Sequence, residues 1–465
     1  MGTAPVRAEL PDLGDPASAL LSPSQEQALG RRLLREVRRS LPLSQDPLLV
    51  NYVQSLGQRL VSHVPDGGHA HFRFLVVEDA SVNAFAMPGG VVGINTGLMR
   101  TTRNEAELAA VIAHEIAHVT QRHIAQAHTA GGRSDLASGL AILAGIIASA
   151  YVPELGQAAI VGGMAGGAQA RLNFTRAKEE EADRIGVTIL ADAEYAPEAM
   201  PDFFERMMQL GGPGADAVPE YLRTHPVTQR RIAETRDRAA RYDDEERVTD
   251  SREFGLMRAR AWALTDPEAV LAAHADQDPE DSAAHYAQAV ALIQQGRTQD
   301  ALAALDAARE ETDDPPSLYL ELARAEAFLA GRDPDPDRAL EILERLQELY
   351  PHFPPVAQTR ARALLAADHP ARALQAVDHL LTQDVEIPSL YRLKGEAAKQ
   401  MGRTARSHEA MAEYYFHHGQ YREAVRQLDI ALSEPGLDTP LEQRIRSKRE
   451  TAVRFAEEER EDSRS

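Results

Sequence analysis

Residues 104–120 read NEAELAAVIAHEIAHVT, and we start from this stretch because it fixes the architecture around it. Asn104 followed by Glu107 has the form of a capping box, which marks the start of a helix. Apolar residues then recur at helical spacing, at Leu108, Val111, Ile112, Ile116 and Val119. The pattern predicts a long helix over residues 105–127, packed against a core on one face.

The same helix carries the motif His114-Glu115-Ile116-Ala117-His118. Residues four apart lie one turn above each other, so the two imidazoles can reach a single metal ion. The alternative interpretation is two histidines on a partly polar helix. The next charged segment favours the metal-binding interpretation.

Residues 174–183 read FTRAKEEEAD and predict a second, charged helix. A zinc site that catalyses hydrolysis needs three protein ligands and one open position, and Glu179 on this helix would complete a His-His-Glu set. Asp183 follows one turn later on the same face, where it can accept a hydrogen bond from a ligand imidazole. Without the upstream motif, a run of glutamates would simply indicate a solvated helix face.

Composition limits the architecture and the partners. The chain has 465 residues, is 43% hydrophobic and only 5% aromatic, which favours two mainly helical domains. Its formal net charge of -21 argues against binding nucleic acid, which is a polyanion. The chain has no cysteine, so the predicted zinc, one Zn²⁺ per chain, depends on histidine and carboxylate ligands.

The first residues carry an export feature. Val6-Arg7-Ala8 places small residues at the positions that a signal peptidase requires, without the apolar core that normally precedes them. We therefore interpret residues 1–22 as the remnant of an export signal with an N-terminal extension. The alternative is a short tail without function.

Two short strands are expected before the long helix. Residues 72–77 and 91–94 have strand patterns on either side of a Pro-Gly-Gly turn, which predicts a small sheet. If residues 91–95 form an exposed edge beside the metal, a peptide substrate can add to them as an extra strand; the alternative is a wholly internal strand.

An apolar stretch lies between the two metal-binding segments. Residues 136–151 are fewer than the roughly 20 that a membrane-spanning helix needs, and Pro153 and Glu154 interrupt the stretch. We expect a helical hairpin over the active site. Its dipping into a membrane surface is a second interpretation, although it lacks the basic face typical of interfacial helices.

After about residue 250 the pattern changes to paired amphipathic helices with recurring small residues. The positions Ala289, Gly296, Ala301, Leu305 and Ala308 resemble a tetratricopeptide unit, and similar sets follow at Ala339, Ala373, Gly395 and Ala424. The predicted fold class is mainly α: an α+β metal-binding domain over residues 23–248, then an α-solenoid of tetratricopeptide repeats over residues 249–456. Residues 457–465 are predicted to be a charged tail.

Four motifs occur in an order that resembles a known family. They are residues 83–90 (NAFAMPGG) with Gly97-Leu98-Met99, then HEIAH, then Glu179 to Asp183 in E-x-x-A-D form, then His225-Pro226 with Arg231. This order is similar to the HExxH zinc metallopeptidases that include the CAAX prenyl endopeptidase and the heat-shock protease HtpX. Within that family the chain looks most like the periplasmic β-barrel assembly-enhancing proteases, over essentially its whole length.

The resemblance implies roles for single residues. It implies zinc ligands at His114, His118 and Glu179, with Glu115 as the general base that activates water. It places Arg231 where it would stabilise an oxyanion, the alternative being an ordinary surface arginine. It also implies that His225 occupies the open metal position, so that the enzyme rests in a latent state until the loop of residues 211–225 moves.

The resemblance further implies partners and a location. We expect a zinc metalloendopeptidase of the bacterial periplasm, either free or in peripheral contact with the outer membrane. Its expected substrates are unfolded or stalled outer-membrane β-barrel proteins, and its expected partner is the β-barrel assembly machinery, including assembly of the lipopolysaccharide-transport barrel. Two other functions stay in view: a chaperone or scaffold with a mostly latent site, and a processing enzyme that cuts one defined substrate.

Overall fold

The computed structural model describes residues 23–64, 71–123, 126, 165–211, 218–242, 247–273, 281–309, 317–382 and 387–462. The described chain is mainly helical with one three-stranded sheet, as the sequence predicted. Most buried apolar side chains belong to one continuous core that extends from the first helices into the C-terminal ones. The predicted division into two domains near residue 249 stays a prediction.

The N-terminal half holds eight described helices around the sheet. Their bounds are α1 Pro23–Ser40, α2 Pro47–Val61, α3 Thr96–Thr101, α4 Glu105–Thr120, α5 Ala165–Asp192, α6 Ala199–Leu210, α7 Glu220–Thr224 and α8 Gln229–Ala239. Asp46 caps the start of α2: its carboxylate accepts a hydrogen bond from the Leu49 backbone N–H at 3.0 Å.

The sheet has the strand order β1-β3-β2, with β1 Arg73–Val77, β2 Ala84–Met87 and β3 Val91–Asn95. β3 pairs in parallel with β1 and antiparallel with β2. The expectation that residues 91–95 form an exposed edge is therefore wrong, because both sides of β3 are paired and every residue of the strand is buried. The two edge strands of the sheet are β1 and β2.

Helix α4 begins as predicted and ends earlier than predicted. The Asn104 side chain accepts a hydrogen bond from the Glu107 N–H at 3.0 Å, which caps the helix. The predicted end at residue 127 is wrong: α4 ends at Thr120, and Arg122 has a left-handed backbone with φ of 52°. Such a conformation cannot continue an α-helix, so the chain turns back at this point.

The C-terminal half is an array of helical hairpins. The described helices are α9 Arg252–Thr265, α10 Pro267–Ala273, α11 Ser282–Gln294, α12 Thr298–Ala307, α13 Leu318–Leu329, α14 Pro336–Leu349, α15 Pro354–Ala366, α16 Pro370–Leu381, α17 Pro388–Gln400, α18 Thr404–His417, α19 Tyr421–Ser433 and α20 Thr439–Asp462. Tight turns between successive helices place a residue at positive φ: Gly296, Gly331, Asp368, Gly402 and Gly419. The tetratricopeptide assignment of these hairpins stays a prediction.

The array is attached to the N-terminal half at three places. At its start, the buried Arg260 of α9 bonds the Asp46 carboxylate at 2.7 Å and the Glu326 carboxylate of α13 at 2.9 Å. In its middle, α15 packs on α2. At its end, Arg38 of α1 donates to the His417 carbonyl at 3.2 Å, and the Arg35 guanidinium lies 5.1 Å from the Phe455 ring centre.

Some expectations fall on parts of the chain that the structure leaves out. Residues 1–22 lie outside the described residues, and so do residues 136–164 of the stretch 136–170 in which the helical hairpin is expected. Within the described residues, no helix combines the length and apolar composition needed to cross a bilayer. At the other end, α20 runs to Asp462, so most of the predicted charged tail is helical.

Candidate metal centre

Two packed helices bring the expected metal-binding side chains together. His114 and His118 project from one face of α4, and Glu179 projects from α5, which packs along α4. The helices approach closely because Gly186 faces α4: a Cβ at this glycine would lie 3.2 Å from the backbone nitrogen of His114. The side chains of His114, His118 and Glu179 are all buried.

The distances between their donor atoms are those of a small metal site. His114 Nε2 lies 3.0 Å from His118 Nε2 and 3.4 Å from Glu179 Oε2, while His118 Nε2 lies 3.4 Å from Glu179 Oε1. A tetrahedral zinc with bonds of about 2.0–2.1 Å separates its ligand atoms by about 3.3–3.4 Å. The donor set and its spacing therefore fit a divalent metal of this kind.

His225 adds a fourth donor to the same cluster. Its Nδ1 lies 3.3 Å from His114 Nε2 and 3.2 Å from Glu179 Oε2, and the four candidate ligand atoms lie within 4.8 Å of one another. The ring stacks on Tyr221, with 4.9 Å between centroids, and the Tyr221 N–H donates to the Val82 carbonyl at 2.9 Å. The segment that carries His225 is thus fastened to the residues just before β2.

Glu115 lies beside this cluster and is not one of its four donors. The side chain is 1% exposed, and neither carboxylate oxygen has a hydrogen-bond partner among the described residues. His225 Nε2 lies 3.4 Å from Glu115 Oε1. A buried carboxylate without hydrogen-bond partners is costly, so it is typical of a functional group rather than of a structural one.

Asp183 and Arg231 form a buried pair behind the cluster. Asp183 Oδ1 lies 3.0 Å from His114 Nδ1, the position expected for a group that fixes the orientation of this imidazole. Arg231 donates twice to Asp183 at 2.7 Å, and once to the Pro226 carbonyl at 2.8 Å. Arg231 Nη1 also lies 3.1 Å from Glu179 Oε2.

The contacts of Arg231 support neither of its two interpretations, as an oxyanion-stabilising residue or as an ordinary surface arginine. The residue is 3% exposed, so it is not an ordinary surface arginine. Its guanidinium is engaged by Asp183, Glu179 and the Pro226 carbonyl, and these contacts give an oxyanion role no support. They support a role in holding Asp183 and Glu179 in place.

Comparison with known proteins agrees with this architecture. Residues 47–239 match the model of the family described as "Peptidase family M48". The "Beta-barrel assembly-enhancing protease" of Yersinia pestis is 34% identical over 394 residues, which cover 76% of this chain and 80% of that protein. The chain belongs to peptidase family M48. It is accordingly a metalloendopeptidase.

Other M48 relatives match shorter stretches. The "Beta-barrel assembly-enhancing protease" of Escherichia coli (strain K12) is 40% identical over 255 residues, which are 55% of this chain and 52% of that protein. The "Mitochondrial metalloendopeptidase OMA1" of Arabidopsis thaliana is 38% identical over 157 residues, or 34% of this chain and 29% of that protein. The match to the Escherichia coli relative spans about half of its length.

Sequence reasoning did not single out His123 of this M48 peptidase. On a continuous helix, a residue five positions beyond His118 would point about 140° away from it. Because α4 ends at Thr120 and Arg122 turns the chain, His123 comes back to lie with its Nδ1 2.9 Å from His118 Nδ1. Neither glycine nor proline marks the end of α4, so the sequence contained no signal from which the position of His123 could be predicted.

The charge states in the M48 cluster are strongly interdependent. Burial lowers the pKa of His114, but the carboxylates of Asp183 and Glu179 outweigh it and raise the pKa to about 9. Burial and the neighbouring His114 hold the pKa of His118 well below its usual value. Burial lowers the pKa of His123 to about 4. Of these three histidines, His114 is the one that carries the extra proton at neutral pH.

Proposed function

We propose that this M48 peptidase is a zinc-dependent endopeptidase of the bacterial periplasm that degrades unfolded or stalled outer-membrane β-barrel proteins and rests in a latent state. The four donor atoms of His114, His118, Glu179 and His225 carry the proposal, because a catalytic zinc site has three protein ligands and this cluster offers four. The names of the Yersinia pestis and Escherichia coli relatives support the substrate class and the location.

In the active state, three side chains would hold zinc: His114, His118 and Glu179. Zinc in such a site polarises the scissile carbonyl and lowers the pKa of a water molecule toward neutrality. Asp183 would accept a hydrogen bond from His114 Nδ1–H, which leaves Nε2 free to bind the metal. Arg231 holds Asp183 in position by two hydrogen bonds.

Glu115 is proposed as the general base and proton carrier. Its carboxylate has no hydrogen-bond partner among the described residues, so both oxygens are available to accept a proton from water. After the carbonyl is attacked, the same carboxylic acid can pass that proton to the leaving amine. Burial keeps this exchange away from bulk solvent.

His225 is proposed to block both groups at once. Its Nδ1 occupies the fourth position of the cluster, and its Nε2 lies 3.4 Å from the Glu115 carboxylate. With Nδ1 turned to the cluster, the ring proton is on Nε2 and points to the base. Activation therefore requires His225 to leave, which frees the position for water and the base for catalysis.

The edge strand β2 is proposed to receive the peptide substrate. The outer side of the sheet next to α4 belongs to β2, where a peptide can add as a further strand. The residues before β2 also hold the segment with His225, through the Tyr221 N–H and the Val82 carbonyl. A substrate that displaces this bond would loosen the segment and favour release of His225.

Zinc content and casein hydrolysis of wild type, Glu115→Gln and His225→Ala test the proposal. We expect about one zinc per chain in all three, loss of hydrolysis in Glu115→Gln, and faster hydrolysis in His225→Ala. The exposed histidine of His63→Ala serves as a control that should match the wild type. A wild type without zinc would refute the catalytic proposal, while His225→Ala with unchanged or lower activity would refute latency.

A second candidate function is assistance in β-barrel assembly by the helical array. The printed name of the Yersinia pestis and Escherichia coli relatives, "assembly-enhancing", favours it, and so does the size of the array, from α9 to α20. Glu115→Gln separates the two functions, because it should retain zinc and client binding without hydrolysis. If cells with this variant still assemble their outer membrane, the assembly function belongs to the array and not to hydrolysis. We propose the β-barrel assembly machinery as the partner of the array, including its assembly of the lipopolysaccharide-transport barrel.

A further inference from the structure

We infer that His123 and Glu181 position the metal ligand His118, and that they do for this imidazole what Asp183 and Arg231 do for His114. The inference rests on the proposed zinc site and concerns residues that do not themselves touch the metal or the substrate. His123 and Glu181 are positioning residues: they act through His118.

The contact that carries the inference joins two imidazoles. His118 directs Nε2 to the cluster and Nδ1 to the opposite side, where His123 Nδ1 lies 2.9 Å away. The two rings meet edge to face, with centroids 4.9 Å apart and an interplanar angle of 81°. Their nitrogens therefore face each other, as a hydrogen bond requires and as simple stacking does not.

The hydrogen bonds are satisfied by one arrangement of protons. A metal ligand that binds through Nε2 carries its proton on Nδ1, so His118 is the donor to His123 Nδ1. His123 then has a lone pair on Nδ1 and its own proton on Nε2. That proton points to Glu181 Oε2, 3.2 Å away, so the chain ends on a carboxylate.

Glu181 is held in turn by a cation. Lys178 Nζ lies 2.9 Å from the same Oε2 atom, one turn earlier on α5. Glu181 is 31% exposed at its side chain, whereas His123 is 4% exposed. The carboxylate and the lysine thus lie at the solvent boundary of the site and the histidine lies inside it.

The backbone turn after α4 makes this contact. Arg122 adopts the left-handed conformation that returns the chain toward His118, and its side chain bonds the Glu26 carboxylate of α1 at 2.8 Å. A left-handed non-glycine residue is unfavourable, so tertiary contacts such as this ion pair must hold it. The turn is therefore held in the conformation that places His123.

Both histidine ligands of α4 then have the same kind of support from α5. His114 Nδ1 faces Asp183, which Arg231 holds; His118 Nδ1 faces His123, which Glu181 and Lys178 hold. Glu179, the third metal ligand, lies on the same helix between Lys178 and Asp183. One helix thus fixes the metal ligand that it carries and the orientation of both histidines opposite.

The test measures zinc affinity by competition with a chromophoric chelator in His123→Ala, His123→Asn and Glu181→Gln, with the exposed His63→Ala as control. We expect His123→Ala to weaken zinc binding by about 10- to 100-fold. His123→Asn should recover most of the loss, because its amide oxygen can accept from His118 Nδ1–H. Glu181→Gln should weaken binding by about tenfold and leave the fold intact, because the Glu181 side chain is 31% exposed.

Two further readouts separate positioning from general packing. The visible spectrum of the Co²⁺-substituted protein should shift in His123→Ala and return toward wild type in His123→Asn, because it reports ligand orientation. On casein, kcat should fall with KM unchanged, because His123 does not contact substrate.

The outcomes distinguish this inference from the proposed function. Zinc affinity and Co²⁺ spectra that match wild type in both His123→Ala and Glu181→Gln would overturn the inference and leave the zinc peptidase intact. Equal losses in His123→Ala and His123→Asn would also overturn it, since the acceptor atom would then not matter. A wild type that binds no zinc overturns the proposed function and this inference together.

Discussion

Replacing Arg231 by methionine tests the buried framework behind the metal cluster. The substitution removes two hydrogen bonds of 2.7 Å to Asp183, in a pair whose side chains are 3% and 4% exposed. It also removes the contact with Glu179 at 3.1 Å. Breaking a buried ion pair from one side costs about 3–5 kcal/mol, because the remaining carboxylate is left without compensation. We expect a loss of that size in the free energy of unfolding.

Urea-induced unfolding followed by circular dichroism measures this effect, with a chelator present so that metal binding does not contribute. The double variant Arg231→Met with Asp183→Asn removes both charges and should be more stable than the sum of the single effects predicts. We expect a coupling energy of about 1–3 kcal/mol. The neighbouring Arg230, whose side chain is 70% exposed, provides the control: Arg230→Met should leave the unfolding midpoint unchanged.

Two results would refute this reasoning. A loss below about 1 kcal/mol for Arg231→Met would show that the pair contributes no more than an exposed one. Strictly additive single effects would show that Arg231 and Asp183 do not stabilise each other.

Three more predictions concern the release of a proton on zinc binding and two buried charged groups in the helical array. Zinc binding at pH 7 should release about one proton, because the pKa of metal-free His114 is about 9; calorimetry in buffers of different ionisation enthalpy counts it. Arg260→Met should lower the free energy of unfolding by about 3–5 kcal/mol in urea, since Asp46 and Glu326 lose their buried cation. Glu409→Gln should remove stability on the order of 1–2 kcal/mol at pH 7 and almost none near pH 2, which thermal unfolding at both pH values measures.

The sign of the Glu409 effect follows from its surroundings. Burial acts to raise the pKa of Glu409, but Arg444 and Lys448 outweigh it and lower the pKa from 4.5 to about 2. A carboxylate with a lowered pKa stabilises the fold above 4.5, and the effect is lost as the pH falls from 4.5 through 2. Arg444 is half-exposed, so solvent screening reduces the size of the effect.

A specific result would contradict each of the predictions for zinc binding, Arg260 and Glu409. Heat of zinc binding that does not depend on the buffer would contradict proton release. An Arg260→Met variant as stable as the wild type would show that Asp46 and Glu326 are compensated by other groups. A Glu409→Gln effect that is equal at pH 7 and near pH 2 would exclude the carboxylate charge as its cause.

Local patterns made the helices predictable. The spacing of His114 and His118 brings them to one face of any helix, and the Asn104 cap fixes where that helix starts. Glu179 required one further assumption, that its helix packs on α4, which the structure shows. Features that depend on periodicity and capping could thus be predicted from the sequence alone.

Features set by distant contacts could not be predicted. Nothing near Thr120 marks the end of α4, because the turn depends on Arg122 and its partner Glu26 in α1. β3 lies in the centre of the sheet because it pairs with a strand on each side. The pattern of its five residues predicts a strand but does not predict its place in the strand order. The burial of Arg231 likewise results from Asp183, forty-eight positions earlier in the chain.

The three attachments of the helical array have a mechanical consequence. A helical array that is attached at one end only can bend at its free end, because each hairpin contacts only its neighbours. Here α9 is anchored by Asp46, α15 rests on α2, and the last hairpins return to α1. Support at these points restrains bending of the array, so a force on it would pass into α1 and α2, and α2 packs on α4, the helix of His114 and His118.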